Sequence, residues 1–322
     1  MMSEQYTNDP STPAKTHQSS DTAPPVVRRI RTLSDRGVAA LFVAPTLFLL
    51  LAINIFPLAW TIYLSFTNFR ASRPNAAVDW VGTTNYSMLL NDPEIWDRMQ
   101  TTAHFVFWSL SLQIVLGLGL ALLLNRRFRS HGFWTNVIII PMMLSPAVVG
   151  TFWKYIYQPQ IGIFNPIVNF FADLGSFSMI GNAQLAPWAI IIVDTWMWTP
   201  FIMLICLAGL RSIPDFLYEA AEIDRASGWQ KFLHITLPQV MPFLMLAVLF
   251  RGIENIKMFD LAAELTSGGP GSATELASIA LKRLAFENWW TGYSSALAVI
   301  LFVTVFGVSF IFVRALKRVR ER

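Results

Sequence analysis

Six apolar stretches, each near the length an α-helix needs to cross a bilayer, recur along the chain and constrain its fold more than any other feature. At 1.5 Å per residue, a helix of roughly 20 residues covers the ~30 Å of hydrocarbon. The stretches lie at 38–66, 101–125, 133–157, 188–210, 239–260 and 292–316. A backbone in lipid must satisfy its own N–H and C=O groups, so each stretch is expected to be helical. The pattern predicts an all-α, polytopic membrane protein with six transmembrane helices. Composition agrees: 54% of the 322 residues are hydrophobic and only 14% are Asp, Glu, Lys or Arg, where soluble domains carry about a quarter. A polar shell that thin cannot cover an apolar core in water, whereas lipid accepts an apolar exterior.

The first stretch is too long for a signal-peptide core and has no small-residue cleavage site, so it reads as a retained span. Pro45, Asn54 and Pro57 within it are expected to kink the helix or to be satisfied by neighbouring helices. Residues 1–36, rich in Ser, Thr, Pro, Gln and Asp, predict a disordered tail, leaving 37–322 as one transmembrane domain. Basic residues collect in that tail (Arg28, Arg29, Arg31, Arg36), in two links (Arg126, Arg127, Arg129; Arg211, Arg225, Lys231) and at the end (Arg314, Lys317, Arg318, Arg320, Arg322). Loops 67–100, 158–187 and 261–291 are poorer in them, so both termini are expected in the cytoplasm. Trp60, Trp96, Trp153, Trp188, Trp289 and Trp290 fall near span ends, where an indole keeps its N–H wet and its rings in the acyl boundary. The net charge of +4 does not imply nucleic acid, because the basic residues flank apolar stretches and do not interleave with aromatics on one face.

Chemistry-bearing motifs are missing. No Gly-x-x-x-x-Gly-Lys-Ser/Thr phosphate loop occurs, and the Gly268, Gly269, Pro270, Gly271 turn has no following Lys. His17, His104, His131 and His234 are scattered without metal spacing, no serine stands in a Gly-x-Ser-x-Gly elbow, and Cys206 is alone in an apolar run. The expectation is a non-catalytic subunit without a metal or cofactor of its own, energised from outside.

Between the fourth and fifth stretches, 211–238 reads RSIPDFLYEAAEIDRASGWQKFLHITLP. Ser212 can cap a helix that Pro214 starts and Asp215 favours, with Leu217, Ala220, Ala221 and Asp224 on neighbouring faces. Small Ala220 and Ala221 permit close approach by another protein. Ser227 can cap a second turn that Pro238 ends. Physics alone leaves two readings open, a solvated connector and a docking helix.

The same stretch resembles the EAA loop of permease subunits of binding-protein-dependent ABC importers, in Glu219, Ala220, Ala221, Ile235, Leu237 and Pro238. Arg225 stands where that family usually has glycine, with Gly228 three positions later. Val81-Gly82 with Asn85-Tyr86, and Leu265-Thr266 with Gly268-Gly269-Pro270, resemble patterns of its maltose-type, carbohydrate-uptake branch. The resemblance implies the type I importer permease fold in a bacterial cytoplasmic (inner) membrane. It implies a second, homologous permease, two ATPase subunits that bind the ATP, and an extracytoplasmic solute-binding protein that delivers a sugar or sugar derivative. It places Glu219, Ala220, Ala221, Asp224, Arg225 and Gly228 against an ATPase subunit.

Ionisable groups inside spans are expensive and point to function. Asp194 lies in the fourth stretch, and Arg251, Glu254, Lys257 and Asp260 crowd the fifth. One-turn spacing expects Arg251, Glu254, Asn255 and Met258 on one side of a helix. They either pair internally, Arg251 with Glu254 or Glu254 with Lys257, or line a sugar-sized site. The resemblance puts Arg251, Glu254, Asn255 and Met258, with Met197, Trp198 and Phe201, in a substrate lining, and an arginine there suggests an anionic sugar. The rival reading is an ion-coupled secondary transporter working without an ATPase, with the charged fifth span as its relay. No internal repeat is evident to support it.

Overall fold

A computed structural model of the protein describes residues 35–320 apart from 74, 76, 127, 128, 172–174 and 176. All but the last two residues of the expected tail at 1–36 lie outside the described residues, as does Arg127. Contacts divide the chain into two units, one up to Ile55 and one from Phe56 onward. Among the described residues the structure is helical, with one isolated antiparallel bridge between Thr67 and Trp80.

Helix α1 (Asp35–Ser65) runs unbroken through Pro45 and Pro57. Of the expected kink or satisfaction by neighbouring helices, Asn54 needs neither for its amide, whose Nδ2 donates to the carbonyl of Leu50 at 2.7 Å, one turn back in the same helix. Thr61 likewise donates to the carbonyl of Pro57 at 2.8 Å. Side chains from 40 to 57 are exposed, as a helix bathed in lipid tolerates. After α2 (Thr84–Leu90), α3 (Pro93–Leu124) starts eight residues before the expected 101. The cause is local: Asp92 accepts a bond from the N–H of Glu94 at 3.0 Å, and Pro93 sits in the first turn.

The third apolar stretch, expected to span at 133–157, is a sharply bent pair of helices. Helix α4 (His131–Ile139) passes into a 3-10 turn at Ile140–Met143, and α5 (Pro146–Ile156) leaves it at 96°. Leu144 and Ser145 are extended, Ser145 because the ring of Pro146 excludes it from the helical region. Counting this bent pair as one span gives six; otherwise five helices among the described residues are long and apolar enough to cross a membrane.

After α6 (Phe164–Phe171) comes α7 (Ala186–Arg211), and then α8 (Asp215–Ile223). Pro238 was expected to end a turn and does not. Helix α9 (Gly228–Lys231), a π-helical segment (Phe232–Thr236) and α10 (Leu237–Ile256) follow without a break. In the π segment the N–H of Leu237 reaches the carbonyl of Phe232, and this widening admits a proline ring where a regular turn would clash. Helix α10 stops at Ile256, four residues short of the expected 260, before α11 (Asp260–Thr266), α12 (Ala277–Lys282) and α13 (Thr291–Arg320).

Close packing of α3, α7 and α10 makes the core. Gly117 of α3 faces Ile202 and Met203 so closely that a Cβ would sit 2.9 Å from the Ile202 side chain, and Gly209 of α7 is as tight against the ring of Phe243. Cys206 is fully buried among Leu207, Met203 and Val240. Away from that core, Asn85 donates to the carbonyls of Ser65 and Thr67, both at 2.9 Å, and so closes the end of α1. Tyr86 shares a 2.7 Å hydrogen bond with Ser65. Buried Glu275 meets Arg98 of α3 at 2.9 Å and Arg283 at 2.6 Å, pinning the 261–291 loop.

Candidate functional site

Each of three packed helices contributes two polar side chains one turn apart, and these meet in the core. Ser109 and Gln113 come from α3, Asp194 and Trp198 from α7, and Arg251 and Asn255 from α10. Asp194 is fully buried and accepts from Ser109, from Gln113 Nε2 at 2.7 Å and from Arg251 at 3.0 Å. Arg251, 3% exposed, also donates to Gln113 Oε1 at 3.1 Å and to Asn255. Its guanidinium lies 4.6 Å above the ring of Trp198. A carboxylate and a guanidinium each surrounded by partners can remain charged where an isolated ion could not.

This geometry separates the seven expected lining residues. Met197, Arg251 and Asn255 are buried, Trp198, Phe201 and Met258 are half-buried, and Glu254 is exposed. Met258 cannot share a helical face with Arg251, because α10 has ended two residues earlier. Of the two internal pairings that the sequence left open, Glu254 with Lys257 forms, at 2.9 Å on the surface, while Arg251 pairs with Asp194 and not with Glu254. Sequence reasoning noted Asp194 without placing it in the site, and missed Ser109 and Gln113. Two polar residues four apart inside an apolar span were the available signal. Among the described residues, no group of three or more His, Cys, Asp or Glu is placed to hold a metal ion.

The 211–238 segment folds as a clamped helical hairpin. Ser212 does not cap α8 as expected; its hydroxyl donates back to the carbonyl of Gly209, and Pro214 occupies the cap position. At the far end of α8, the N–H of Ala226 reaches the carbonyl of Ala221 and that of Arg225 reaches Glu222. This double closure requires a left-handed residue between the helices, and Arg225 supplies it with φ +53°. Ser227 and Gln230 then form the expected cap of α9 reciprocally. Two contacts the sequence did not announce hold the arms together: Glu222 with Lys231 at 2.9 Å, and Tyr218 with Thr236 at 3.0 Å. Glu219, Ala220, Asp224, Arg225 and Gly228 are exposed and Ala221 half-buried. Phe216, Ile223 and Trp229 stand 62%, 84% and 68% exposed beside them. Large apolar side chains thus stay open on an otherwise polar hairpin.

Apolar spanning helices around a neutralised polar core, with a stiff apolar-faced hairpin between two of them, define a membrane permease built to work with a further subunit. Residues 113–321 match the family described as binding-protein-dependent transport system inner membrane component. The chain belongs to that family; it is the membrane permease of an ABC importer and not an enzyme. It is 34% identical over 278 residues to the trehalose/maltose transport system permease protein MalF of Thermococcus litoralis, covering 85% of this chain and 92% of the relative. It is 31% identical over 287 residues to the sulfoquinovosyl glycerol transport system permease protein SmoG of Agrobacterium fabrum, covering 88% and 92%. Its fold matches a chain in the crystal structure of a bacterial ABC transporter involved in the import of the acidic polysaccharide alginate, with TM-score 0.75 and 18% identity over 87% of this chain and 95% of that one.

Proposed function

We propose that this permease carries a sugar or sugar derivative, handed over by an extracytoplasmic binding protein, and that the Asp215–Thr236 hairpin docks in an ATPase subunit on the cytoplasmic side. The observation that carries the docking reading is the exposed trio Phe216, Ile223 and Trp229 on a hairpin stiffened at both arms. Glu219, Ala220, Ala221, Asp224, Arg225 and Gly228 form the contact, and closure of two ATPase subunits around ATP moves the spans as rigid bodies. A second, similar permease completes the pathway, the chain has no cofactor of its own, and both termini are cytoplasmic, in keeping with the basic links.

The relatives that carry trehalose and maltose, or sulfoquinovosyl glycerol, support the sugar class. Trp198, Phe201, Glu254 and Met258 retain surface that a sugar can touch, while Met197, Arg251 and Asn255 stand behind them as support. The charge of Arg251 is already met by Asp194, which supports a neutral sugar over an anionic one.

Reconstitution of the permease pair with its ATPase and binding protein tests this reading. ATP hydrolysis should rise on addition of sugar-loaded binding protein. Uptake that follows an ion gradient in the absence of any ATPase would instead establish the secondary-transporter reading.

A further inference from the structure

A cavity of about 960 Å³ opens where the ends of three apolar helices come together: the end of α3, the start of α4 and the end of α7. Arg126, Arg129, Arg211 and His131 line it, and Asp215 is the acid among them. Neither Arg126 nor Arg129 has an ion pair among the described residues. Arg211 donates to Nε2 of His131 at 2.8 Å; that nitrogen therefore accepts, and the contact leaves the positive charge of Arg211 uncompensated. Three guanidiniums face a space with one carboxylate in it.

The remaining wall is apolar. Leu124, Leu210 and Ile213, all buried, form it beneath the arginines. In the first turn of α4, which His131 of the cavity begins, Phe133 and Trp134 are 64% and 49% exposed, and tryptophan is a residue that favours headgroup depth. Charge at the rim and hydrocarbon below match a ligand built the same way, and guanidiniums favour phosphate oxygens, which they can bind two at a time.

We infer that this cavity is a binding site for the phosphate of an anionic phospholipid, seated between α3, α4 and α7 at the root of the docking hairpin. Its assignment to the inner leaflet rests on the proposed cytoplasmic placement of the hairpin. Because Pro214, Asp215 and Tyr218 of that hairpin share the cavity, a lipid headgroup there braces its first turn.

The test is native mass spectrometry of the full-length chain released from bilayers of equal phosphatidylglycerol and phosphatidylcholine. Phosphatidylglycerol should be retained in excess, on the order of fivefold for each arginine engaged. The triple substitution Arg126→Gln, Arg129→Gln, Arg211→Gln should abolish the excess, and Arg→Lys at the same positions, which keeps the charge but not the two-pronged geometry and controls for folding, should retain part of it. Equal retention by the unsubstituted chain, or an excess that survives the Gln substitutions, overturns the site. If inorganic phosphate raises the melting temperature in detergent and phosphatidylglycerol does not, the ligand is soluble and the lipid assignment falls. If an ATPase subunit and not lipid shields Arg129→Cys from maleimide, the cavity belongs to a protein interface and the inference is wrong. None of these measurements requires ATP-driven uptake, so failure of the transport reading is distinguishable from failure of this one.

Discussion

Arg225 holds a left-handed backbone that glycine adopts without steric penalty. Arg225→Gly should therefore raise the stability of the hairpin by about 1 kcal/mol, readable as slower proteolysis between α8 and α9. A loss of stability would show that the arginine side chain makes a contact worth more than the relieved strain. Asp194 and Arg251 present the opposite case, two charges tolerable only together. Asp194→Asn or Arg251→Gln alone should destabilise the α3–α7–α10 core by about 3–5 kcal/mol. The double substitution should recover much of that loss, because no unpaired buried charge remains. A thermal-unfolding double-mutant cycle in detergent measures the coupling, and additive losses would refute the pairing.

At the scale of elements, packing depends on places where a side chain has been left out. Gly117 lets α3 approach α7 until the Ile202 side chain and the N–H of Met203 fill the space of a Cβ, at 2.9 and 3.1 Å. Gly117→Leu should push the helices apart and lower the melting temperature, the penalty being about 1–3 kcal/mol or more. Gly119, with nothing within 4 Å of its would-be Cβ, provides the control, and Gly119→Leu should leave stability nearly unchanged. Helix α5 packs on α11 by the same device: a Cβ at Gly150 would lie 2.9 Å from the carbonyl oxygen of Leu261. Backbone cannot step aside as a flexible side chain can, so Gly150→Ala should loosen α11 and the 261–291 loop with it. Faster hydrogen exchange at Asp260–Thr266 would report that loosening.

For the whole molecule, the buried polar core and the exposed hairpin are separate devices, and substitutions should tell them apart. Ala220→Trp should lower sugar-stimulated ATP hydrolysis of the assembled importer at least tenfold while membrane insertion and melting temperature stay unchanged. A stability loss of the same size would place Ala220 inside the subunit fold. Amino-acid order was enough to indicate the helical class, the approximate spans and the hairpin with its Ser227 cap, because span length, charge bias and capping act over a few neighbouring residues. It was enough, too, to single out Arg251 and Asp194 as costly. It could not pair them, since α7 and α10 bring together residues 57 positions apart through packing that no local pattern encodes. The 96° bend between α4 and α5 was not foreseen, and the helix that continues through Pro238 was misread, for a related reason. Proline restricts the backbone but does not choose between a break, a bend and a π-turn; neighbouring helices make that choice by which geometry they can pack against.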